Sequence, residues 1–194
     1  MMMGAKQAFG LMSIAILLCF GQDPLAQSED ASVWSAVIEH YRETHRDESQ
    51  RFRLVVAGET TVSAHMLLGR FEQQDTSEIP PSMIRELRGR NAVSQALRGL
   101  RLPSDAVLVP GVRRLIMRST ASGGETPDWL PFVKSYPGAL LLQFAAPAYD
   151  TSGQRALAYF SVGLGPEGLQ GWLYILEKQG SEWKVTWLDS PWIA

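Results

Sequence analysis

The last third of the chain, from Ala139 to Ala194, has the clearest pattern of apolar and polar positions. Its final run puts Trp183, Val185 and Trp187 on one face of a strand and charged or hydroxyl side chains on the other. Such alternation is typical of a strand with one buried and one solvated face. Three apolar runs precede it, separated by glycine-containing turns. Four antiparallel strands in a meander are therefore predicted: Ala139 to Tyr149, Arg155 to Val162, Leu169 to Lys178 and Glu182 to Leu188.

Helical periodicity marks several earlier segments. The apolar residues between Val33 and Tyr41 recur at i, i+1, i+4, i+5 and i+8, which predicts a helix from about Asp30 to His45. Pro80-Pro81 opens a second helical region, and because Gly89 weakens its middle, one helix or two short ones fit equally well. Thr126-Pro127-Asp128 combines a cap, a proline and an acid, and it predicts the start of a short helix.

Two more strands are predicted, from Arg51 to Ala57 and from Ala106 to Val109, and the first is expected to join the meander. These elements together predict an α+β fold. Its core would be an antiparallel sheet of about five strands, with helices packed on one face. A chain of 194 residues can form one domain without a metal or disulfide to stabilise it.

The N-terminus has the pattern of a secretory signal. Lys6 precedes an apolar run from Ala8 to Gly21 that is too short to span a bilayer comfortably. Cleavage after Gly21 or after Ala26 is possible, and Ala26 is preferred because Gly21 lies at the very end of the apolar run. The prediction is a signal peptide at 1–26 and a single domain at 27–194. The domain would lie in the periplasm or outside the cell, with no stable membrane span after cleavage.

Charge and cysteine content exclude several classes of function. A net charge of −2 argues against nucleic acid or an anionic membrane as a partner. Cys19 is the only cysteine, and either cleavage removes it. The exported domain would then have no disulfide, no cysteine nucleophile and no thiolate metal site. The sequence predicts no cofactor.

Two short motifs match known patterns in their letters but not in their context. Gly163 to Gly168 reads G-x-G-x-x-G, but a predicted strand follows it where a dinucleotide site needs a helix. Ser181 and Lys184 read S-x-x-K, a pattern whose chemistry needs both side chains on one helical turn. On a strand they point to opposite faces. With no Ser-His-Asp order, paired acids or H-E-x-x-H, no catalytic residue is assigned.

Histidine and acid positions give little support for catalysis or metal binding. His40, His45 and His65 are the only histidines, and none has the i, i+4 spacing of a helical metal site. No metal site is predicted. Glu59 follows a strand end, where active sites often lie, and Asp150 lies in a turn. These acids are the candidates for an alternative function as a periplasmic hydrolase with a cleft between helices and sheet.

Arginine and tryptophan supply the candidate ligand-binding residues. Arginines gather between Arg85 and Arg118. Their guanidinium groups could bind a carboxylate ligand or an anionic polymer, although such groups more often form outer helix faces paired with acids. The two tryptophans of the final strand are predicted to be core, whereas two others are more open to a binding role. The candidates are therefore Trp172, Trp192, Arg113 and Arg114.

A series of aromatic, apolar and glycine positions runs through the second half of the chain. It comprises W-x-x-F-x-x-x-Y-P-G from Trp129 to Gly138, Ala156 to Tyr159, G-x-x-x-x-L-x-K from Gly171 to Lys178, Trp183-Lys184-Val185 and Trp192-Ile193. In these positions the chain resembles a family of small exported bacterial proteins of unknown function. A weaker match covers Trp34 to Ile38 and Leu54 to Val56. Members of that family carry two cysteines where this chain has Leu164 and Gly168. The resemblance implies a shared fold and export, but no activity and no catalytic residues.

The sequence as a whole predicts an exported, non-enzymatic binding or interaction module. Its partner would be a ligand or protein of the envelope or the extracellular space. A structural or inhibitory role through binding another protein is a third hypothesis, beside the hydrolase. A functional site is expected where Trp172, Trp192 or the loop at 163–168 meets the arginine-rich segment.

Overall fold

A computed structural model describes residues 24–46, 52–60, 79–165 and 168–193. Positions 1–23 of the predicted signal peptide therefore lie outside the described residues. Among the described helices, none is long and apolar enough to cross a membrane. These helices are α1 (Pro24–Thr44), α2 (Pro81–Arg90), α3 (Arg113–Ile116) and α4 (Leu130–Ser135). The described strands are β1 (Arg53–Ala57), β2 (Ala106–Val109), β3 (Met117–Ser119), β4 (Glu125–Pro127), β5 (Ala139–Phe144), β6 (Ala148–Tyr149), β7 (Arg155–Gly163), β8 (Gln170–Gln179) and β9 (Glu182–Ile193).

Seven of the described strands form one mixed sheet. Its order is β2-β1-β5-β7-β8-β9, and β6 pairs with β7 beside this path. Strand β1 is parallel to both β2 and β5, whereas β5, β7, β8 and β9 pair in antiparallel succession. The α+β class and the C-terminal meander are confirmed, and β1 joins the meander as predicted. The strand predicted from Ala139 to Tyr149 is two strands, β5 and β6, and both pair with β7. The sheet is mostly, but not purely, antiparallel.

A small hairpin replaces the predicted start of the helix at Thr126. Strands β3 and β4 pair with each other, and β4 contains Pro127. The helix α4 begins only at Leu130, whose backbone N–H donates to the Asp128 carboxylate at 3.2 Å. Asp128 therefore still accepts a bond from the first turn of the helix, although the helix begins later than the cap–proline–acid pattern indicates.

Helix α1 covers one face of the sheet. Its predicted apolar stripe, which includes Val37 and Ile38, is buried against alternate residues of β1, β5, β7 and β8. Phe160 of β7 and Tyr174 of β8 are fully buried in this cluster, with ring centroids 4.9 Å apart. Trp34 adds a specific contact, because its Nε1 donates to the Ala145 carbonyl at 2.9 Å.

Helices cover the opposite face as well, so the prediction that helices pack on one face only is wrong. Met83 and Leu87 of α2 pack against Leu157 of β7 and Ile175 of β8. Phe132 of α4 belongs to a further cluster, formed with α3 on the alternate residues of β1 and β5. Strands β1, β5 and β7 are buried at consecutive positions, and continuous apolar runs of this kind are typical of strands covered on both faces.

A β-bulge in β9 separates the two tryptophans that were predicted to share a face. Ile175 lies opposite Trp187 and Leu176 lies opposite Val185, so β9 advances two residues where β8 advances one. The extra residue turns the side chains beyond it to the other face of the sheet. Trp183 packs on the α1 side with only 4% of its surface exposed, which confirms it as core. Trp187 packs instead against the cluster beneath α2.

Candidate ligand-binding groove along helix α1

A groove of about 820 Å³ crosses the solvent-facing side of α1. Seven residues of α1 between Ala31 and Arg42 line its floor. One wall is formed by residues 98–103, in the segment that follows α2, and the other by residues 181–184, at the β8–β9 hairpin. We call this feature the α1 groove, and its walls the arginine wall (98–103) and the hairpin wall (181–184).

The arginine wall is fixed to α1 by local geometry. The backbone N–H of Arg101 donates to Ser35 Oγ at 3.0 Å, and that hydroxyl donates in turn to the Ala31 carbonyl at 2.7 Å. Gly99 has a φ of +72°, which L-residues with a side chain rarely adopt, so glycine is required at this turn. Leu100 packs against the main cluster under α1. The two arginines of this wall are therefore carried on a backbone that is bonded to the groove floor.

The hairpin wall is fixed by the tryptophan predicted to be core. Trp183 Nε1 donates to Glu29 Oε1 at 2.9 Å, and Lys178 Nζ donates to the same oxygen at 2.6 Å. Lys184 pairs with Glu182 at 3.1 Å, and this hydrogen bond and charge raise the pKa of Lys184, with smaller contributions from Glu39 and Glu43.

Charge is distributed unevenly between the two walls. Arg42 is paired with Asp105 at 3.0 Å, and Lys184 with Glu182. Arg98 and Arg101, both exposed, form no ion pair with any residue that the structure describes. Two guanidinium groups on the arginine wall thus have no carboxylate partner among the described residues. The carboxylates of Glu39 and Glu182 lie on its floor and its opposite wall.

The N-terminal part of α1 is held by a buried acid. Asp30 is 2% exposed; Arg90 Nη2 donates to its Oδ2 at 2.7 Å, and the Tyr149 hydroxyl donates to its Oδ1 at 2.8 Å. Burial raises the pKa of Asp30 above its ordinary value, against the lowering effect of Arg90 and Tyr149. Burial and the neighbouring carboxylate also raise the pKa of Tyr149 far above its ordinary range. The predicted cleavage after Gly21 or Ala26 leaves Asp30 in the chain.

Trp172 lies on the α1 face but inside the core. It is 9% exposed, and its ring packs edge to face against His45, with centroids 5.2 Å apart, and against Tyr41. Its Nε1 has no hydrogen-bond partner among the described residues. A stacking platform needs an open ring face, and the burial of Trp172 leaves little.

The other sequence candidates lie elsewhere. Arg113 and Arg114 are exposed on α3, on the face opposite the Trp172 cluster, and Arg113 pairs with Glu125. The backbone of Trp192 pairs with Gly171 in the sheet, while its side chain lies outside the described part of the chain. The structure therefore does not bring Arg113 and Arg114 together with Trp172.

Glu59 and Asp150, the candidate acids of a hydrolase, both accept hydrogen bonds from backbone N–H groups. Glu59 Oε2 accepts the Gly111 N–H at 2.9 Å. Asp150 Oδ1 accepts the N–H groups of Gln154 and Arg155 at 3.0 and 3.1 Å. Slight burial raises the pKa of Asp150, but hydrogen bonds from Ser152 and these backbone groups outweigh it and lower the pKa overall. Neither acid lines the α1 groove.

Metal ligands do not gather in the described part of the chain. There, no group of three His, Cys, Asp or Glu side chains comes close enough to hold a metal ion. His40 packs edge to face on Tyr174 with centroids 5.3 Å apart, and burial lowers the pKa of His40. His65 lies outside the described residues.

The G-x-G-x-x-G and S-x-x-K motifs lie outside the structural contexts that their chemistry needs, as the sequence predicts. The strand β8, not a helix, follows the glycine-rich segment at 163–168. Positions 166 and 167 of this segment lie outside the described residues. Ser181 is in the hairpin turn and Lys184 is on β9. Neither segment has the local structure that a dinucleotide site or a serine–lysine pair requires.

Sequence reasoning missed the residues that define the groove. Arg98 and Arg101 belong to the arginine-rich segment that the sequence singles out, but nothing in the sequence separates them from the other arginines. The contact of Arg101 with Ser35 joins positions 66 apart. Gly99 between the two arginines is the one local signal, because a glycine inside an apolar and basic run often marks a tight turn.

Comparison with known proteins adds no assignment to the groove. No family model, curated protein or solved structure matches the chain. The resemblance to exported bacterial proteins, drawn from residues such as Trp129 and Trp183, stays a prediction. The functional argument consequently rests on the residues of the α1 groove.

Proposed function

We propose that this protein is an exported, non-enzymatic binding module and that the α1 groove receives its ligand. One observation carries the proposal: a groove of about 820 Å³ with two guanidinium groups that have no ionic partner among the described residues. Concave sites with a few convergent polar groups are where ligands most often bind. The hydrogen bonds that join each wall to α1 support a preformed site.

Export is proposed on the sequence alone. The basic residue and short apolar run at the N-terminus are typical of a secretory signal, and the resemblance to exported proteins favours the same location. The ligand would then be a component of the bacterial envelope or of the extracellular medium. The domain at 27–194 contains no cysteine, so the site needs no particular redox state.

The hydrolase alternative finds no support in the geometry. Glu59 and Asp150 each accept hydrogen bonds from backbone N–H groups, which hold these carboxylates in place. A general acid needs a raised pKa, whereas that of Asp150 is lowered. Asp30, whose pKa is raised, is buried between Arg90 and Tyr149.

A blocking substitution tests the proposal. Ser181→Trp places a large side chain at the exposed hairpin wall, and Thr151→Trp makes the same change on the exposed β6–β7 turn, which does not line the groove. The protein is screened by thermal shift against peptides, oligosaccharides and lipids. We expect a ligand that stabilises the wild type and Thr151→Trp but not Ser181→Trp. Equal stabilisation of all three proteins would contradict the proposal.

A further inference from the structure

We infer that the ligand of the α1 groove is an acidic peptide segment, bound across α1 with its carboxylates on Arg98 and Arg101. The inference rests on the proposed function, since it assigns a chemical class to the ligand of that same groove. Four features of the described residues support it: two arginines without an ion-pair partner, a backbone hydrogen-bonded to α1, the carboxylates on the floor and the opposite wall, and the lack of an open aromatic ring.

The first step concerns the free cations. Arginine presents its N–H groups in a planar fork that matches a carboxylate, and such charge-assisted pairs are among the stronger polar contacts. Of the cations that line the groove, Arg42 is paired with Asp105 and Lys184 with Glu182. Arg98 and Arg101 have no ion-pair partner among the described residues. An anionic group that enters the groove would therefore meet the arginine wall without displacing an existing ion pair.

The second step concerns geometry. Arg98 and Arg101 are three positions apart on a segment whose turn needs Gly99 and whose Arg101 N–H is bonded to Ser35. Little backbone entropy remains to be lost when both side chains bind one ligand. Two carboxylates on successive or alternate residues of one chain suit such a pair of fixed cations.

The third step excludes uniformly anionic ligands. Glu39 lies on the floor and Glu182 on the hairpin wall, so a polyanion that filled the groove would meet carboxylates beyond the arginine wall. Like charges at such contacts cost binding energy. A nucleic acid or an anionic lipid surface repeats its negative charge everywhere, whereas a peptide can carry its acids at one end only.

The fourth step excludes a carbohydrate as the first choice. Sugar rings are commonly bound by stacking on exposed aromatic faces. The only aromatic side chain among the described residues that line the groove is Trp183, which is 4% exposed and donates its N–H to Glu29. The groove offers instead charged groups and the hydroxyl of Ser181, which suit peptide amides and carboxylates.

The width of α1 sets the length of the bound segment. A helix with its side chains is roughly 10 Å across. An extended peptide rises about 3.3 Å per residue, so roughly three residues connect the two walls. A peptide of about eight residues is therefore long enough to place its acidic end on Arg98 and Arg101 and to extend past the hairpin wall.

The test measures binding of a labelled peptide of about eight residues, with alternating glutamate and glycine at one end and neutral residues at the other. Fluorescence anisotropy should show saturable binding that weakens as salt rises. Arg98→Gln combined with Arg101→Gln should weaken binding by at least about tenfold. Arg113→Gln combined with Arg114→Gln makes the same charge change on the opposite face and should leave the affinity unchanged.

Further measurements distinguish a failure of the inference from a failure of the proposed function. No binding of the acidic peptide, equal binding by the Arg98→Gln/Arg101→Gln variant, or equal binding of a peptide with glutamine in place of glutamate would each overturn the inference. Tighter binding of an oligouronate, a single-stranded oligonucleotide or an anionic vesicle through the same arginines would also overturn it. In that last case the proposed function stands if Ser181→Trp blocks the ligand that binds.

Discussion

The two faces of the sheet are covered in different ways. On one face a single helix, α1, spans 21 residues and lies over one continuous cluster. On the other, helices of 10, 4 and 6 residues cover two separate clusters. A long helix that buries one stripe leaves its outer side as an uninterrupted surface, and on this protein that surface is the floor of the α1 groove. The described helices on the other face have 10 residues or fewer, so the outer side of each is shorter than that of α1.

The polar contacts differ between the faces as well. At the N-terminal part of α1, Glu29 and Asp30 bind cations and aromatic donors from distant strands and helices. At the end of α2, the neutral side chain of Asn91 bonds to the Ala146 carbonyl and accepts the Ala146 N–H at 2.9 and 2.7 Å. The N-terminal part of α1 is therefore held by charged groups, one of which is Arg90 at the end of α2. Helix α2 is held by that ion pair together with an amide and apolar packing.

The largest expected effect compares the two tryptophans that the β9 bulge separates. Trp183→Ala should lower the free energy of unfolding by about 3–5 kcal/mol, because it removes a core ring and the donor to Glu29. Trp187→Ala, at a half-buried site on the other face, should cost about 1–2 kcal/mol. Chemical denaturation measures both. A loss below about 1 kcal/mol for Trp183→Ala would show that its face is assigned wrongly.

Local pattern was enough to predict the meander, but not how it is covered. Turns and apolar runs are local signals, so β5, β7, β8 and β9 could be located from the sequence. Alternation places Leu54 and Val56 on one face of β1 and Val55 on the other, and both faces are buried. Whether a second layer of helices covers a strand depends on segments far away in the chain, which alternation does not report.

The bulge and the groove were beyond prediction for a related reason. A bulge depends on the register of two strands. Alternation alone places Trp183 and Trp187 on one face, whereas their partners on β8 place them on opposite faces. The candidate site depends on a contact between Arg101 and Ser35, which are distant in sequence. The arginine-rich segment could be recognised from composition, but which arginines are free of partners is a property of the fold.

The second prediction concerns Asp30, the buried acid that holds the N-terminal part of α1. Asp30→Ala removes the acceptor of Arg90 and Tyr149 and should lower the free energy of unfolding by about 2 kcal/mol near neutral pH. Burial raises the folded-state pKa of Asp30 above its unfolded value of about 4, so the folded protein holds this proton more tightly. The stabilisation by Asp30 is then complete below about pH 4 and falls as the pH rises through the folded-state pKa.

Denaturation at several pH values between about 4 and 7 measures this dependence. The stability margin of the wild type over Asp30→Ala should be largest at the acidic end of the range. Glu43→Ala, on the exposed side of the same helix, serves as the control and should have little effect. A margin that grows toward neutral pH would mean that the ion pair with Arg90 outweighs the burial of the carboxylate.

The smallest expected effect on stability is that of the groove arginines, and it is compared with that of Arg90, which is bonded to the buried Asp30. Arg98→Gln combined with Arg101→Gln should change the free energy of unfolding by less than about 0.5 kcal/mol, because both side chains are exposed and form no ion pair with the described residues. Arg90→Gln, which loses its bond to buried Asp30, should cost about 1–3 kcal/mol. Chemical denaturation of the variants decides the comparison. If the groove double variant lost more than about 1 kcal/mol, its arginines would be part of the scaffold, and a loss of peptide affinity could no longer be attributed to contact with the ligand.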